Sequence, residues 1–370
     1  MARKPPSPGL FHSGLVPMAL AMGEGRDDRN GTVRRRRGQK GPTLADVARE
    51  AGVSAMTASR AVNGGEGVLP ETRERVLAAV AALGYVPNLA ARSLAGGKPC
   101  RIALLHSNPS AAYLSEFLMG SMAEADASDA QLVVEHCREG EDPAALVARL
   151  AEHRIDAVLL PPPLCDDSAL IAAIAAAALP AARIATGQPL AGTIAITIDD
   201  EAAAHAMTAR LIAQGHRRVG FIAGNPNQTA SALRRAGYQR ALAEAGIAPD
   251  PALVRQGDFT YRSGLVAAEG LLAESQPPSA IFASNDDMAA AAVAVAHRLG
   301  LAVPGKVAIC GFDDTALATT IWPELTTIRQ PVADMARIAT ARLVGKVRGR
   351  RSDGPDHVRL PFTLVSRGSG

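Results

Sequence analysis

The sequence predicts an all-α helix-turn-helix head followed by a larger α/β core of two doubly wound parallel-sheet lobes. Two observations support this organisation. Three short amphipathic helical patterns follow one another within residues 43–87, whereas from residue 99 onwards short apolar runs alternate with Ala-rich helical stretches. The chain has 370 residues, of which 48% are hydrophobic, which is enough for one small domain and one body of roughly two lobes.

The first helix of the head is predicted from an apolar stripe with spacing i, i+3, i+4 and i+7, formed by Leu44, Val47, Ala48 and Ala51. Thr43 is its expected N-cap, and Gly52 ends it in a tight turn. Ser54 then caps a second helix. This helix turns Ala58, Ala61 and Val62 to the core side and Ala55, Met56, Ser59 and Arg60 to the other side.

A third helix completes the head. Pro70 suits its first position, and Val76, Val80 and Leu83 form its apolar stripe. In helix-turn-helix proteins the second helix lies in the major groove with its N-terminal side chains against base edges. The pattern therefore predicts that residues 43–87 bind double-stranded DNA. A helical hairpin of an unrelated fold is the alternative, but the agreement of cap, turn and three stripes disfavours it.

Charge and cysteine usage narrow the classes further. The net charge is only +3, but basic residues cluster early, in Arg34–Arg37 and then at Arg49, Arg60 and Arg92. Such local charge fits contact with phosphates. The four cysteines are scattered without a CxxC pair, so a zinc site and a disulfide framework are not indicated, and we expect a cytoplasmic protein without metal or cofactor.

Residues 1–42 are rich in Pro, Gly, Arg and Asp without an apolar period, which predicts a disordered basic arm. The weakly apolar stretch 14–22 imitates a signal peptide, but Pro17 interrupts it and a DNA-binding head has no use outside the cell. Met18 and Met22 are alternative starts to Met1.

In the core, four strands are predicted for the first lobe, at 101–106, 131–135, 157–160 and 181–185, and three for the second, at 218–223, 280–283 and 307–311. Helices are predicted between them, at 202–214, 230–245 and 288–299 among others. Ligands of such sheets bind at the carboxyl ends of the strands. The polar residues there are Ser107, Asn108, Asn225, Asn285, Asp286, Asp313 and Asp314, which we expect to converge on one cleft suited to a hydroxyl-rich ligand.

The stretches TLADVAREAGVSAMTASRAVN, YVPN and ARSL closely resemble the lactose-repressor (LacI-type) family of bacterial transcription regulators. The resemblance continues through GHRRVGFIAG, RRAGYQRAL, SNDDMA, GFDDT and PELTTIRQP, and so covers about Thr43 to Ser366. It implies a hinge helix at 88–98 and a core of periplasmic-binding-protein type at 99–370. The first lobe would span about 99–197 and 331–357, and the second about 198–330 and 358–370.

The resemblance also implies site residues. On the DNA side, Ala55, Met56 and Arg60 would read bases, a role that fits Arg against guanine and apolar side chains against thymine methyls. Thr57, Ser59 and Asn63 would hold phosphates, with Thr43 at the start of the first helix and Arg92 near the hinge. Leu94 would enter the minor groove and kink the duplex, with packing of a linker helix on the core as the alternative. On the effector side, Arg234, Asn285 and Asp313 match the family's binding motifs, and Tyr113, Phe259 and Gln330 match further positions, with core packing as the alternative for the two aromatics.

The resemblance departs at two positions. Leu69 stands where the family has a capping residue, and Ala230 stands where some members place an effector-binding hydroxyl. The second departure leaves the ligand open between a sugar, a purine and an acidic or phosphorylated molecule that Arg234 would suit.

The function implied is a homodimeric repressor of carbohydrate-utilisation genes that binds a palindromic operator and is released by a sugar effector. A corepressor-dependent regulator of another ligand and a solute-binding protein are the alternatives. An enzyme is not expected, because the sequence has no P-loop, no GxSxG and no HExxH. The chain also shows no C-terminal heptad repeat, which favours a dimer over a tetramer.

Overall fold

The computed structural model describes residues 42–62, 67–85, 100–138, 140–350 and 354–370. The chain forms two compact units, residues 1–92 and residues 93–370. The expected arm up to residue 41 and the expected hinge helix at 88–98 lie outside the described residues.

The head contains helices α1 (Leu44–Glu50), α2 (Ala55–Val62) and α3 (Pro70–Leu83). A capping box between Thr43 and Asp46 begins α1, with the Thr43 amide donating to the Asp46 carboxylate over 2.9 Å. Gly52 has φ +64° in the turn before α2, a conformation that glycine adopts at low cost. Small apolar side chains from all three helices form one core: Val47, Ala48, Ala51, Ala58, Ala61, Val76 and Ala79.

The first lobe is built on a six-stranded sheet in the order β11-β5-β4-β3-β1-β2. Its strands are β1 (Cys100–His106), β2 (Ala130–His136), β3 (Ala157–Leu160), β4 (Ala181–Ile184), β5 (Ile194–Thr197) and β11 (His357–Arg359). Helices α4 (Ala111–Ala127) and α12 (Val332–Val347) pack together, as do α5 (Pro143–Glu152) and α6 (Ser168–Ala176). A 3₁₀ turn, Leu164–Asp166, precedes α6.

The second lobe repeats this plan with the order β12-β10-β9-β8-β6-β7. Its strands are β6 (Val219–Ala223), β7 (Val254–Gln256), β8 (Ala280–Ala283), β9 (Ala308–Asp313), β10 (Thr326–Arg329) and β12 (Thr363–Val365). Helices α7 (Asp200–Ala213) and α8 (Thr229–Glu244) pack together, as do α9 (Tyr261–Leu272) and α10 (Asp286–Arg298). The short helix α11 is Leu317–Thr320. The strand pairs are parallel except β10 with β12, which is antiparallel.

The chain passes between the lobes three times: from β5 to α7, from β10 to α12, and from β11 to β12. The predicted fold class is therefore confirmed: a three-helix head is followed in the chain by two parallel-sheet lobes. The strands β5, β7, β10, β11 and β12 were not predicted, and α7, α8 and α10 begin one or two residues earlier than predicted. Within the described part of the chain, no helix has the length and apolar character needed to cross a membrane.

Candidate functional sites

A cleft lies where the carboxyl ends of the strands of the two lobes face each other. The described residues that line it are Asn108, Ser110, Tyr113, Pro162, Ala185, Gln228, Ala230, Arg234, Phe259, Asn285, Asp313 and Gln330. All six residues named as effector-binding candidates are in this set. The cavity volume is about 30 Å³, far below the roughly 300 Å³ at which small-molecule pockets begin, so the lobes are closed on each other.

Arg234 extends from α8 into the wall of the cleft and is only 4% exposed. Its Nε donates to Asp200 Oδ1 over 2.8 Å, and its Nη1 donates to the Ser284 carbonyl over 2.6 Å. The guanidinium also stacks on Phe312, with Cζ 3.6 Å from the ring centroid. The sequence offered Arg234 as a partner for an acidic ligand, but its charge is already balanced by a buried carboxylate of α7.

Asp313 and Gln330 form a second polar group at the point where the chain crosses to the first lobe. Gln330 Nε2 donates to Asp313 Oδ1 over 2.6 Å, and Arg234 Nη1 lies 3.8 Å from the same oxygen. Asp313 is buried in the wall of the cleft, where its carboxyl group can hydrogen-bond a ligand hydroxyl. Gln330 Oε1 has no hydrogen-bond partner among the described residues although it is buried.

Asn285 has a structural role as well as a place in the cleft wall. Its Oδ1 accepts from the Met288 amide over 3.0 Å and so caps α10, while its Nδ2 donates to the Phe259 carbonyl over 2.9 Å. A ligand therefore meets an amide whose orientation is fixed from both sides.

The aromatic candidates occupy opposite walls. The Phe259 ring lies against Gly224, where the Cβ of any other residue would overlap the ring. The FIAG stretch therefore ends in glycine to make room for this side chain. Tyr113 on α4 is 5% exposed, and its Oη has no partner among the described residues. A buried phenol without a partner is costly in a pure packing role, and so points to hydrogen bonding with a ligand.

Three of the seven described non-glycine residues with positive φ line the cleft. Ala185, Phe259 and Asp313 have φ values of +56°, +71° and +115°, and all three line the cleft. Non-glycine residues in this region cost of order 1 kcal/mol or more and cluster at functional sites. This signal could not be read from the sequence, because none of the three is glycine or asparagine.

Burial is the largest cause of the pKa shifts in and near the cleft. It raises the pKa of Asp313 well above the ordinary value, although Arg234 opposes the shift. Burial likewise raises the pKa of Asp286 to about 7, and it also raises the pKa of Asp200. Burial also raises the pKa of Tyr113, so its hydroxyl stays protonated and can donate. Arg234 thus lies near two buried carboxyl groups, those of Asp200 and Asp313.

The predicted convergence of seven polar residues is only partly correct. Ser107 lines a separate groove of the first lobe, and Asn225 closes a turn by accepting from the Asn227 amide. Asp286 lies behind the cleft and accepts from the Thr315 amide over 2.8 Å and from Thr327 Oγ1 over 2.7 Å. Asp314 points away and pairs with Arg329 and Arg367, whose hydrogen bonds outweigh burial and lower its pKa. Different partners thus hold the two adjacent carboxyl groups: Gln330 for Asp313, and Arg329 and Arg367 for Asp314.

Several cleft residues were missed by sequence reasoning. Ser110, Pro162, Ala185 and Gln228 all line the cavity. Ser110 and Gln228 stand at the N-caps of α4 and α8, so their positions just after strands were the signal available. Pro162 and Ala185 carry no chemical signal and contribute shape alone.

In the head, α2 presents a surface beside the buried Ala58 and Ala61. Ala55, Met56 and Arg60 are exposed, with Met56 at 66%, while Thr57 and Ser59 are half-buried. The Thr57 amide donates to Ser54 Oγ over 3.1 Å, which fixes the first turn of α2. Thr43 is exposed at the start of α1. Asn63, Arg92 and Leu94 lie outside the described residues.

Comparison with known proteins shows which family has this architecture. Residues 43–88 match the family of bacterial regulatory proteins of the lacI family, and residues 208–370 match the periplasmic binding protein-like domain. The HTH-type transcriptional regulator CelR of Thermobifida fusca is 36% identical over 346 residues, which cover 91% of this chain and 99% of that protein.

Two solved structures are similar over nearly the whole chain. A complex of transcriptional regulator CelR with cellobiose has a TM-score of 0.69 at 34% identity and covers 89% of this chain and 100% of its own. The lac repressor dimer bound to operator and the anti-inducer ONPF has a TM-score of 0.71 at 31% identity and covers 89% and 99%. The chain belongs to the lacI family of bacterial regulatory proteins, and is a transcriptional regulator.

Proposed function

We propose that the chain is a cytoplasmic repressor of carbohydrate-utilisation genes, which binds a palindromic operator as a homodimer and is released when a sugar enters the cleft between its lobes. In this proposal, residues 43–87 read the operator, residues 88–98 form a hinge helix, and residues 99–370 bind effector and dimerise. The similarity to the operator-bound lac repressor dimer supports operator binding by a dimer. The similarity to the CelR–cellobiose complex supports a sugar as the effector.

The side chains that line the cleft support an uncharged, hydroxyl-rich effector. Asp313 and Gln330 offer acceptors, Tyr113 offers a donor, and the rings of Tyr113 and Phe259 offer apolar faces to C–H groups. Arg234 donates to Asp200 and to the Ser284 carbonyl, so a phosphate or carboxylate would find no guanidinium free for bidentate binding among the described cleft residues. The buried carboxyl groups of Asp200 and Asp313 further disfavour an anion. A neutral sugar fits this set of groups.

On the DNA side, we assign base reading to Ala55, Met56 and Arg60. An arginine can form two hydrogen bonds with guanine O6 and N7, and Ala and Met side chains can contact a thymine methyl group. Thr43, Thr57, Ser59, Asn63 and Arg92 are assigned to the phosphates, and Leu94 to the central step of the minor groove. The exposure of Ala55, Met56 and Arg60 on one surface of α2 supports the first assignment.

The test is genome-wide DNA occupancy of the tagged full-length chain in its host, in cultures with and without each sugar of a panel that includes cellobiose. We expect a few palindromic sites beside sugar uptake or hydrolase genes, and loss of occupancy with one sugar. Sites that appear only when a ligand is added would replace release by corepression, and an absence of sequence-specific sites under all conditions would refute the repressor assignment.

The cleft is tested by Asp313→Asn with Asp314→Asn as its matched control. Both variants lose one carboxylate of the same dipeptide, but only Asp313 lines the cavity. We expect the first variant to need about tenfold more of the active sugar for release, because an amide in place of the carboxyl group leaves a buried hydrogen-bonding group unsatisfied at a cost of about 1–3 kcal/mol, and to retain its sugar-free occupancy. An equal response in the two variants would place the effector elsewhere.

A further inference from the structure

The carboxylate of Asp166 connects the two lobes across the mouth of the cleft. Asp166 belongs to the 3₁₀ turn of the first lobe, where its Oδ1 accepts from Thr186 Oγ1 over 2.6 Å and lies 3.4 Å from Arg183 Nη2. Its Oδ2 accepts from the second lobe, from the Thr229 amide over 2.8 Å and from Thr229 Oγ1 over 2.7 Å. One side chain therefore uses each of its oxygens for a different lobe.

These bonds complete the N-terminus of α8, the helix that carries Arg234. The first backbone amides of a helix lack intrahelical partners and are normally met by a side chain just before the helix. Gln228 stands at that position and makes no capping hydrogen bond. Asp166 takes over this function from the opposite lobe, and its negative charge suits the positive end of the helix.

Gly187 of the first lobe also packs closely against α8. The Gly187 amide donates to Thr229 Oγ1 over 2.6 Å. A Cβ at Gly187 would lie 2.7 Å from Leu233 Cδ1 and 3.0 Å from Thr229 Cβ. A side chain at this position would therefore push α8 away from the first lobe.

A second bond across the cleft lies near the other end of the cavity. Ser110 Oγ at the start of α4 donates to Asp287 Oδ2 in the first turn of α10 over 2.6 Å. Since the closed cavity holds about 30 Å³, the volume of one or two waters, a sugar cannot enter until the lobes separate and these bonds break.

We propose that Asp166 is the latch of the closed core: it caps α8 only when the lobes are together, so its bonds to Thr229 set the equilibrium between closed and open cleft. Asp166 is a positioning residue in this role. It acts on Arg234 through α8, because its carboxylate accepts hydrogen bonds from Thr229 at the N-terminus of that helix. The proposal concerns the protein without sugar or DNA, so it stands apart from the assigned function.

The test measures the distance between the lobes in the full-length chain. Glu152→Cys on α5 and Gln239→Cys on α8 place spin labels on exposed residues, and the four native cysteines are buried. Labelled chains are diluted into an excess of unlabelled chains, so that only distances within one chain are seen. We expect Asp166→Asn and Thr229→Val to raise the population with the longer distance about tenfold or more, because each removes hydrogen bonds to a charged group.

Two further variants separate latching from general damage. Gly187→Val should open the cleft by steric contact while the Asp166 carboxylate remains. Asp167→Asn is the matched control, because Asp167 caps α6 within the first lobe by accepting from the Leu170 amide over 3.0 Å. We expect the distance distribution of this control to remain that of the unaltered core.

Amide exchange in the first turn of α8 provides the discriminating readout. If Asp166 only caps the helix, Asp166→Asn will speed exchange there and leave the distance between the lobes unchanged, which would overturn the latch. Equal distance distributions for Asp166→Asn and Asp167→Asn would overturn it too. Faster exchange together with a larger open population in Asp166→Asn and Thr229→Val is the expected result.

Discussion

The surface of α2 and the wall of the cleft differ in how far the side chains proposed to bind DNA or effector take part in folding. On α2, Met56 and Arg60 are exposed, and the helix is held by Ser54 at its start and by Ala58 and Ala61 beneath. In the cleft, Arg234 and Asn285 are buried and hold neighbouring elements together. Recognition is therefore separable from stability in the head, but not in the core.

This difference has consequences for how each surface can change. A residue on the exposed face of α2 can be exchanged at little cost in folding, so operator preference can vary freely if α2 reads the operator as proposed. The Arg234–Asp200 pair is instead part of the packing of α8 on α7. New effector preferences are then expected at positions such as Ala230, Pro162 or Gln228, which line the cleft outside this pair.

The largest effect is expected from Arg234→Ala. It leaves Asp200, which is 2% exposed, without its counter-ion, and loss of one partner of a buried ion pair costs about 3–5 kcal/mol. The measurement is the free energy of unfolding of the full chain in urea. Arg235→Ala, on the exposed face of the same helix, is the control and should change it by less than about 0.5 kcal/mol.

A double variant sharpens this result. Asp200→Asn removes the stranded charge, so Arg234→Ala combined with Asp200→Asn should be more stable than Arg234→Ala alone. If the two are equally unstable, the cost comes from lost packing on Phe312 and not from the ion pair.

The second effect is a dependence of core stability on pH that arises from Asp286. Burial raises its pKa from 3.8 to about 7 in the folded protein. Between these values the folded state keeps a proton that the unfolded state has lost. This contribution to stability is therefore complete below pH 3.8 and is lost as the pH rises to about 7, at up to about 1.4 kcal/mol per pH unit.

Comparison with Asp286→Asn removes that contribution, together with the effect of Asp286 on the neighbouring carboxyl group of Asp313. From pH 4 to pH 7, the free energy of unfolding of the native chain should fall relative to that of this variant. Above pH 7 the difference between the two should stay constant. A difference that is constant over this range would contradict the raised pKa.

The third effect concerns α2 and should leave stability untouched. Arg60→Ala is expected to weaken binding to the occupied sites by about 1–3 kcal/mol and to relax specificity at one base pair, because a bidentate base contact is lost. Arg75→Ala, an exposed arginine of α3, is the control and should not alter base preference. Both variants are compared on native and base-substituted duplexes, together with their unfolding curves. An Arg60→Ala variant that unfolds at lower denaturant would break the separation between recognition and stability.

The sequence predicted those features that have a local signature. The three helices of the head follow from caps, a glycine turn and apolar stripes, and the parallel sheets follow from apolar runs alternating with helices. The strands β11 and β12 were missed because they contain three residues each and come from the C-terminal crossover, where neighbours in the sheet are distant in the chain. Their pairing is a tertiary property.

The same distinction holds in the cleft. Arg234, Asn285 and Asp313 stand in recognisable motifs and all three line the cavity. Asp200 as the partner of Arg234, the separation of Asp314 from Asp313, and the positive φ at Phe259 depend on how two elements meet, and no short stretch of sequence reports them.

The smallest effect is expected at the start of α3, where Leu69 is 73% exposed and provides no side-chain cap. Leu69→Ser would place a hydroxyl next to the free amides of the first turn and should stabilise the head by about 0.5–1 kcal/mol. Thr43→Ala should destabilise it by a similar amount, since it removes the capping box of α1. Amide exchange of α1 and α3 in the full chain measures both. If exchange in α3 is unchanged in Leu69→Ser, Pro70 already sets the start of the helix and the missing cap costs nothing. If exchange in α3 is slower, the head can gain stability at an exposed position just before α3, while the exposed surface of α2 is unchanged.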